Sequence, residues 1–184
     1  MKLICFGDSN TYGYDPRSYF GSRYPATCRW VDLLAEKTGW EIKNEGMNGR
    51  EIPRRSMIIP EDTGLFVIML GSNDLLQGSG AESVAEHMER FLNGLAIPKK
   101  NILLIAPPPM KLGEWVPVQS LIDASIQLAK NYRRLALRLG VRFADAGEWN
   151  ISMSFDGVHF TEDGHKAFAE GLYQHLKQTE MTGI

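Results

Sequence analysis

At 184 residues with 43% hydrophobic side chains, the chain can bury one sizeable core and is too short for two ordinary domains. A formal charge of −2 gives no basic field for holding a phosphate backbone, so no nucleic-acid partner is expected. One lysine and a short apolar run precede Asp8, which makes no signal peptide, and no apolar stretch reaches the roughly 18 residues of a membrane span; a cytoplasmic protein is expected.

The apolar run Leu3-Ile4-Cys5-Phe6 predicts a first strand over 3–6, ending in Gly7-Asp8-Ser9-Asn10-Thr11. A polar loop rich in Gly, Tyr and Arg follows, and then a helix over 26–37 carrying Trp30, Leu33 and Leu34 and stopping at Thr38-Gly39. Residues 41–44 predict a second strand, 65–70 a third with a nearly unbroken apolar run, and 101–105 a fourth. Between the third and fourth, Val84, Met88, Phe91, Leu92 and Leu95 recur at helical spacing over 81–95. Pro107-Pro108-Pro109 then forbids a helix and leads into a loop over 110–119 that holds Trp115 and Val116, read as a lid or pocket wall. A long amphipathic helix over 120–139, a fifth strand over 141–144 and a last helix over 162–177 complete the chain. Cys5 and Cys28, without further cysteines or CxxC spacing, predict buried free thiols rather than a disulfide or metal framework.

Strands alternating with helices imply parallel crossovers, and the order predicts a single domain over 1–184. Its architecture is a three-layer α/β/α sandwich with a five-stranded parallel sheet, flavodoxin-like. In such sheets ligands bind outside the carboxyl ends of the strands. Ser9, Gly46, Asn73 and the loop after Pro107 all follow strand ends, which places them along one edge.

A serine hydroxyl is a weak nucleophile near neutral pH and needs a base within reach and a group to orient that base. Asp156 and His159, three residues apart across the Gly157 turn, supply both for Ser9. A DxxH pair alone is a weak motif, more often an Asp-Gly turn followed by a surface histidine. Oxyanion donors strengthen the case: the Ser9 N–H, the Gly46 N–H and the Asn73 side chain lie on segments that follow strands. Singly, each reads as well as turn chemistry or a helix cap.

Together, Gly7-Asp8-Ser9-Asn10-Thr11, Asn44 to Gly49, Gly71-Ser72-Asn73-Asp74 and Asp156 to His159 resemble, in order, the four sequence blocks of the SGNH hydrolases, the GDSL esterase/lipase family. The resemblance implies that Ser9 is the nucleophile, His159 the general base and then acid, and Asp156 the group that orients it, with Ser9, Gly46 and Asn73 forming the oxyanion hole. It further implies a carboxyl-ester hydrolase without cofactor, acting on a small-molecule ester. Asn10 stands where the family name has Leu.

Asp8 is read as organising the Ser9 turn or capping it, and Asp74 as supporting the Asn73 loop. Tyr12, Tyr14, Trp115 and Trp149 are candidate walls of an acyl or aryl pocket, and His87, His165 and His175 are read as helix caps, surface or rim residues. No His, Cys and carboxylate spacing points to a metal. Acetyl or short-chain esters are the expected substrates; a lysophospholipase, a thioesterase or an acyltransferase would use the same triad. A noncatalytic small-molecule module on a flavodoxin-like sheet is the reading from another class, and it leaves Ser9 and His159 unexplained. Aromatic residues in the 12–24 and 110–118 loops are also compatible with a homo-oligomer contact.

Overall fold

The three apolar runs of the sequence become the centre of one parallel sheet, and the two more polar ones become its edges. In order β2-β1-β3-β4-β5, the sheet comprises β1 (Lys2–Gly7), β2 (Glu41–Gly46), β3 (Leu65–Met69), β4 (Ile102–Ala106) and β5 (Arg142–Asp145). All pairings are parallel, with Cys5 opposite both Asn44 and Val67. The computed structural model describes residues 1–18 and 20–181, so Tyr19 of the 12–24 loop and the 182–184 end of the expected domain lie outside the described residues.

Side chains alternate across a strand, so residue parity decides which layer each one meets. Ile4, Phe6, Phe66, Ile68 and Leu104 face α4 (Ala81–Asn93) and α5 (Gln119–Leu139), where Val84, Met88, Phe91, Leu128 and Tyr132 close one core. Leu3, Cys5, Val67, Leu103 and Ile105 face α2 (Trp30–Thr38) and α6 (Glu162–Met181), where Trp30, Leu34, Phe168 and Leu172 close the other. Full burial of each such side chain is worth roughly 1.5–3 kcal/mol, so β3 and β4, buried at every position, anchor the sheet despite their length. Cys5 and Cys28 are free and buried. Among the described residues, no helix is long and apolar enough to cross a membrane.

Three elements depart from expectation. The helix expected from residue 26 begins at Trp30, because the Cys28 and Arg29 N–H groups both close a turn on the Pro25 carbonyl. Two one-turn helices were not expected: α1 (Ser9–Tyr12) directly after β1, and α3 (Ser72–Leu76) after β3. Four or five residues are too few to display a helical period. The expected 110–119 loop runs to Val118, Gln119 being the first residue of α5, and it is pinned by buried Met110 and Val116 while Trp115 remains 47% exposed.

Candidate active site

The chain leaves β1 toward β2 on one side and β3 lies on the other, so the strand order reverses at the carboxyl end of β1. That is where a doubly wound sheet opens a crevice. Ser9 stands at this point as the first residue of α1. Asp8 caps the helix, its carboxylate accepting the Asn10 N–H at 3.0 Å.

His159 and Asp156 reach the crevice from the far end of the chain. His159 Nε2 lies 2.9 Å from Ser9 Oγ, and its Nδ1 lies 2.7 Å from Asp156 Oδ2. Asp156 Oδ1 accepts the backbone N–H groups of Val158 and His159, both at 2.9 Å, which orients the carboxylate along the imidazole axis. Gly157 turns the chain at φ 83°, and a Cβ there would overlap the Lys111 carbonyl. The Lys111 and Trp115 N–H groups donate to the Gly157 and Asp156 carbonyls, so the proline-led loop braces this turn.

Asn10 performs a task the sequence did not reveal. Its Nδ2 donates to the Val158 carbonyl at 3.0 Å, and its Oδ1 accepts the Phe160 N–H at 2.9 Å. The amide therefore straddles His159 and ties the far end of the chain to α1. Asn10→Leu leaves two buried backbone groups unpaired and is expected to cost about 2 kcal/mol or more, read from urea unfolding midpoints, with ester hydrolysis falling alongside.

Asn73 lies across the crevice on α3. One hydrogen of its side-chain amide is held by the Arg50 carbonyl at 3.0 Å, which leaves the second hydrogen to serve the pocket. Asp74 is buried and accepts the Ile52 N–H, fixing the same loop to α3. Burial raises its pKa, against the pull of that hydrogen bond.

Gly46 does not take the expected place. It is still within β2, paired with Gly7, and its N–H is committed to Asn44 Oδ1 at 2.9 Å. Its lack of a side chain answers a packing need, since a Cβ would overlap the Tyr12 backbone. Gly49, three residues further on, lines the pocket instead, and its N–H donates to no acceptor among the described residues.

The pocket over Ser9 is about 190 Å³, lined by Ser9, Tyr14, Asn48, Gly49, Asn73, Trp115 and His159. The rings of Tyr14 and Trp115 flank the imidazole at centroid distances of 4.7 and 5.0 Å, as expected for wall residues. Tyr12 and Trp149 are not among the lining residues. Tyr12 is the platform beneath the Arg23 guanidinium at 4.4 Å. Trp149 packs edge-on against buried Phe168 and over Gly171, against the second core. Both lie near strand ends in sequence but were claimed by neighbouring elements.

Burial sets the charge of the surrounding groups. Asp8 is pushed up to about 6 by burial, opposed by the Asn10 N–H and by the nearby His159 and Arg50. Burial also pushes Asp156 up, but the bonds from His159 and Val158 outweigh it and its pKa is lowered. The ionised carboxylate is thus held where it can stabilise an imidazolium.

His165, expected as a cap or surface residue, is fully buried, with Tyr24 and Phe160 edge-on at 5.3 Å and neither ring nitrogen hydrogen-bonded. His165 lies in the first turn of α6 and meets Phe160, a member of the second core. Burial pushes its pKa down from 6.5 to about 3, so the ring is neutral when folded. Between those values the unfolded chain binds a proton that the folded one does not, so stability falls as pH falls. His165→Leu is expected to remove this contribution: in urea unfolding between about pH 6 and pH 4, the wild type loses up to about 1.4 kcal/mol per pH unit relative to the variant. Parallel profiles would refute the assignment. His87 is half-buried at the rim of a separate cavity, and His175 is half-buried on α6.

A serine, an imidazole and a carboxylate in hydrogen-bonded series at the switch point of an α/β sheet form the arrangement that serine hydrolases use. The model of the GDSL-like lipase/acylhydrolase family matches residues 5–167, and the chain belongs to that family of ester hydrolases. No curated protein matches the chain. Among solved structures it is similar to a carbohydrate acetylesterase family member from Sinorhizobium meliloti, with 26% identity, a TM-score of 0.80, and coverage of 100% of this chain and 99% of that one. It has the fold of the native aryl esterase of M. smegmatis, at 23% identity and a TM-score of 0.80 over 96% of this chain and 98% of that one.

Proposed function

We propose that the protein hydrolyses acetyl and other short-chain carboxyl esters through an acyl-Ser9 intermediate. The observation that carries this reading is the chain of contacts from Ser9 Oγ through His159 to Asp156, 2.9 and 2.7 Å long.

His159 Nε2 takes the Ser9 proton as Oγ attacks the ester carbonyl, and the imidazolium that forms is stabilised by the Asp156 carboxylate. The negative oxygen of the tetrahedral intermediate accepts from the Ser9 and Gly49 N–H groups and from the free hydrogen of Asn73 Nδ2. Collapse expels the alcohol, which takes the proton from His159 and leaves an ester on Ser9. Water, deprotonated by the same nitrogen, attacks that ester; as the bond to Ser9 Oγ breaks, Oγ takes the proton back from His159 Nε2, and the carboxylic acid is released. The balance needs only ester and water.

The small pocket walled by Tyr14 and Trp115 supports a short acyl group, and the similarity to a carbohydrate acetylesterase family member from Sinorhizobium meliloti supports an acetyl ester. A p-nitrophenyl ester series tests this. Rates are expected to be highest for acetyl and to fall several-fold by the time the acyl chain reaches about eight carbons; a steady rise beyond about ten would favour the lysophospholipase reading. Product analysis with added alcohol separates hydrolysis from acyl transfer.

A further inference from the structure

A second cavity, about 400 Å³ and sharing no lining residue with the Ser9 pocket, opens between the 52–56 segment and α4. Its wall carries Arg54, Arg55, Arg90 and His87, together with the Ser56 hydroxyl and the apolar faces of Ile52 and Phe91. Four arginines elsewhere, Arg17, Arg29, Arg133 and Arg138, pair with carboxylates. The guanidinium groups of Arg54, Arg55 and Arg90 have no carboxylate, hydrogen-bond or ring partner among the described residues.

In a chain of net charge −2, three unpaired guanidinium groups on one concavity concentrate positive potential where the rest of the surface dilutes it. Apolar walls such as Ile52 and Phe91 lower the local dielectric and sharpen that field. Guanidinium forks match the tetrahedral oxygens of a phosphate, each able to donate two parallel hydrogen bonds. The cavity is much larger than a bare phosphate, and its apolar walls offer contact to an organic group attached to one.

We propose that this cavity is a binding site for a small phosphate monoester, with the phosphate held by Arg54, Arg55 and Arg90 and the organic part against Ile52 and Phe91. The site also touches the loop that serves the hydrolytic pocket: Ile52 N–H is bonded to Asp74, and the Arg50 carbonyl holds Asn73.

Isothermal titration calorimetry in a phosphate-free buffer of low ionic strength tests this with inorganic phosphate, glucose 6-phosphate and glucose. Both anions are expected to bind saturably, glucose 6-phosphate more tightly, and glucose not at all. The R54Q/R55Q/R90Q variant is expected to weaken both by about tenfold or more, and R90Q alone by a few-fold, with p-nitrophenyl acetate hydrolysis and circular dichroism reporting an intact fold. Absence of saturable binding, or equal affinity in wild type and triple variant, would overturn the site. Equal affinities for the two anions would overturn the phosphate-ester assignment in favour of free phosphate. The readout is heat of binding and does not depend on Ser9 chemistry.

Discussion

Ser9→Ala is expected to reduce kcat for p-nitrophenyl acetate roughly ten-thousand-fold or more, with the circular dichroism spectrum and urea midpoint of the wild type. Ser9 Oγ is the oxygen 2.9 Å from His159 Nε2, and removing it leaves the imidazole without a nucleophile to deprotonate. What remains is water activated by His159 in a pocket that still offers oxyanion donors, which sustains only a residual rate. The substitution removes one hydroxyl and leaves the Asp8 cap and the backbone bonds from Gly13 and Tyr14 to the Ser9 carbonyl in place, so the loss is kinetic rather than a loss of fold. Stopped assays at equal folded concentration separate the two.

Asp156→Asn has the second largest expected effect, about a ten-thousand-fold fall in kcat, for a different reason. The carboxylate accepts the proton on His159 Nδ1 at 2.7 Å and so keeps Nε2 unprotonated toward Ser9. An asparagine oxygen can preserve the two backbone bonds from Val158 and His159, but its amide then presents N–H to Nδ1. The imidazole is driven to the other tautomer, with its proton on Nε2, and can no longer act as base. Stability carries a second signature. The Asp156 pKa is lowered below 3.8 in the folded protein, so its stabilising contribution is complete above that value and is lost as pH falls through the folded one. The stability gap between wild type and Asp156→Asn is therefore expected to narrow on acidification below about pH 4, read by urea unfolding across a pH series.

Both predictions rest on residues that were legible before any coordinates. Ser9, Asp156 and His159 belong to short blocks whose chemistry requires those atoms, and the sheet order follows from apolar runs alternating with helical periods. The nearly unbroken apolar run at 65–70 is what a strand covered on both faces requires, and its residues divide between the two core clusters.

What was not legible depends on contacts between segments distant in the chain. Gly46 and Gly49 are chemically identical, and only the register of β2 against β1 reveals that Gly46 is still inside the sheet with its N–H committed to Asn44. Asn10 reads as a departure from a family letter, while its value lies in bonds to Val158 and Phe160, 148 and 150 residues away. His165 sits in an ordinary helix-opening sequence, Glu162-Asp163-Gly164-His165, and its burial follows from how Tyr24 and Phe160 converge on it. Tyr12 and Trp149 follow the same rule: an aromatic near a strand end goes to whichever surface completes its packing, here Arg23 and Phe168 rather than the pocket. Tyr14 and Trp115, by contrast, are placed against His159 by the loops that carry them.

The central claim is that Ser9 is a nucleophile activated by His159, and covalent trapping measures it most directly. The protein is incubated with a fluorophosphonate, and the modified residue is located by peptide mass spectrometry in wild type, Ser9→Ala and His159→Ala. The account predicts one phosphonyl group per chain on Ser9 in the wild type, none in Ser9→Ala and strongly slowed labelling in His159→Ala. Labelling at another residue, or unchanged labelling of Ser9 when His159 is removed, would contradict it.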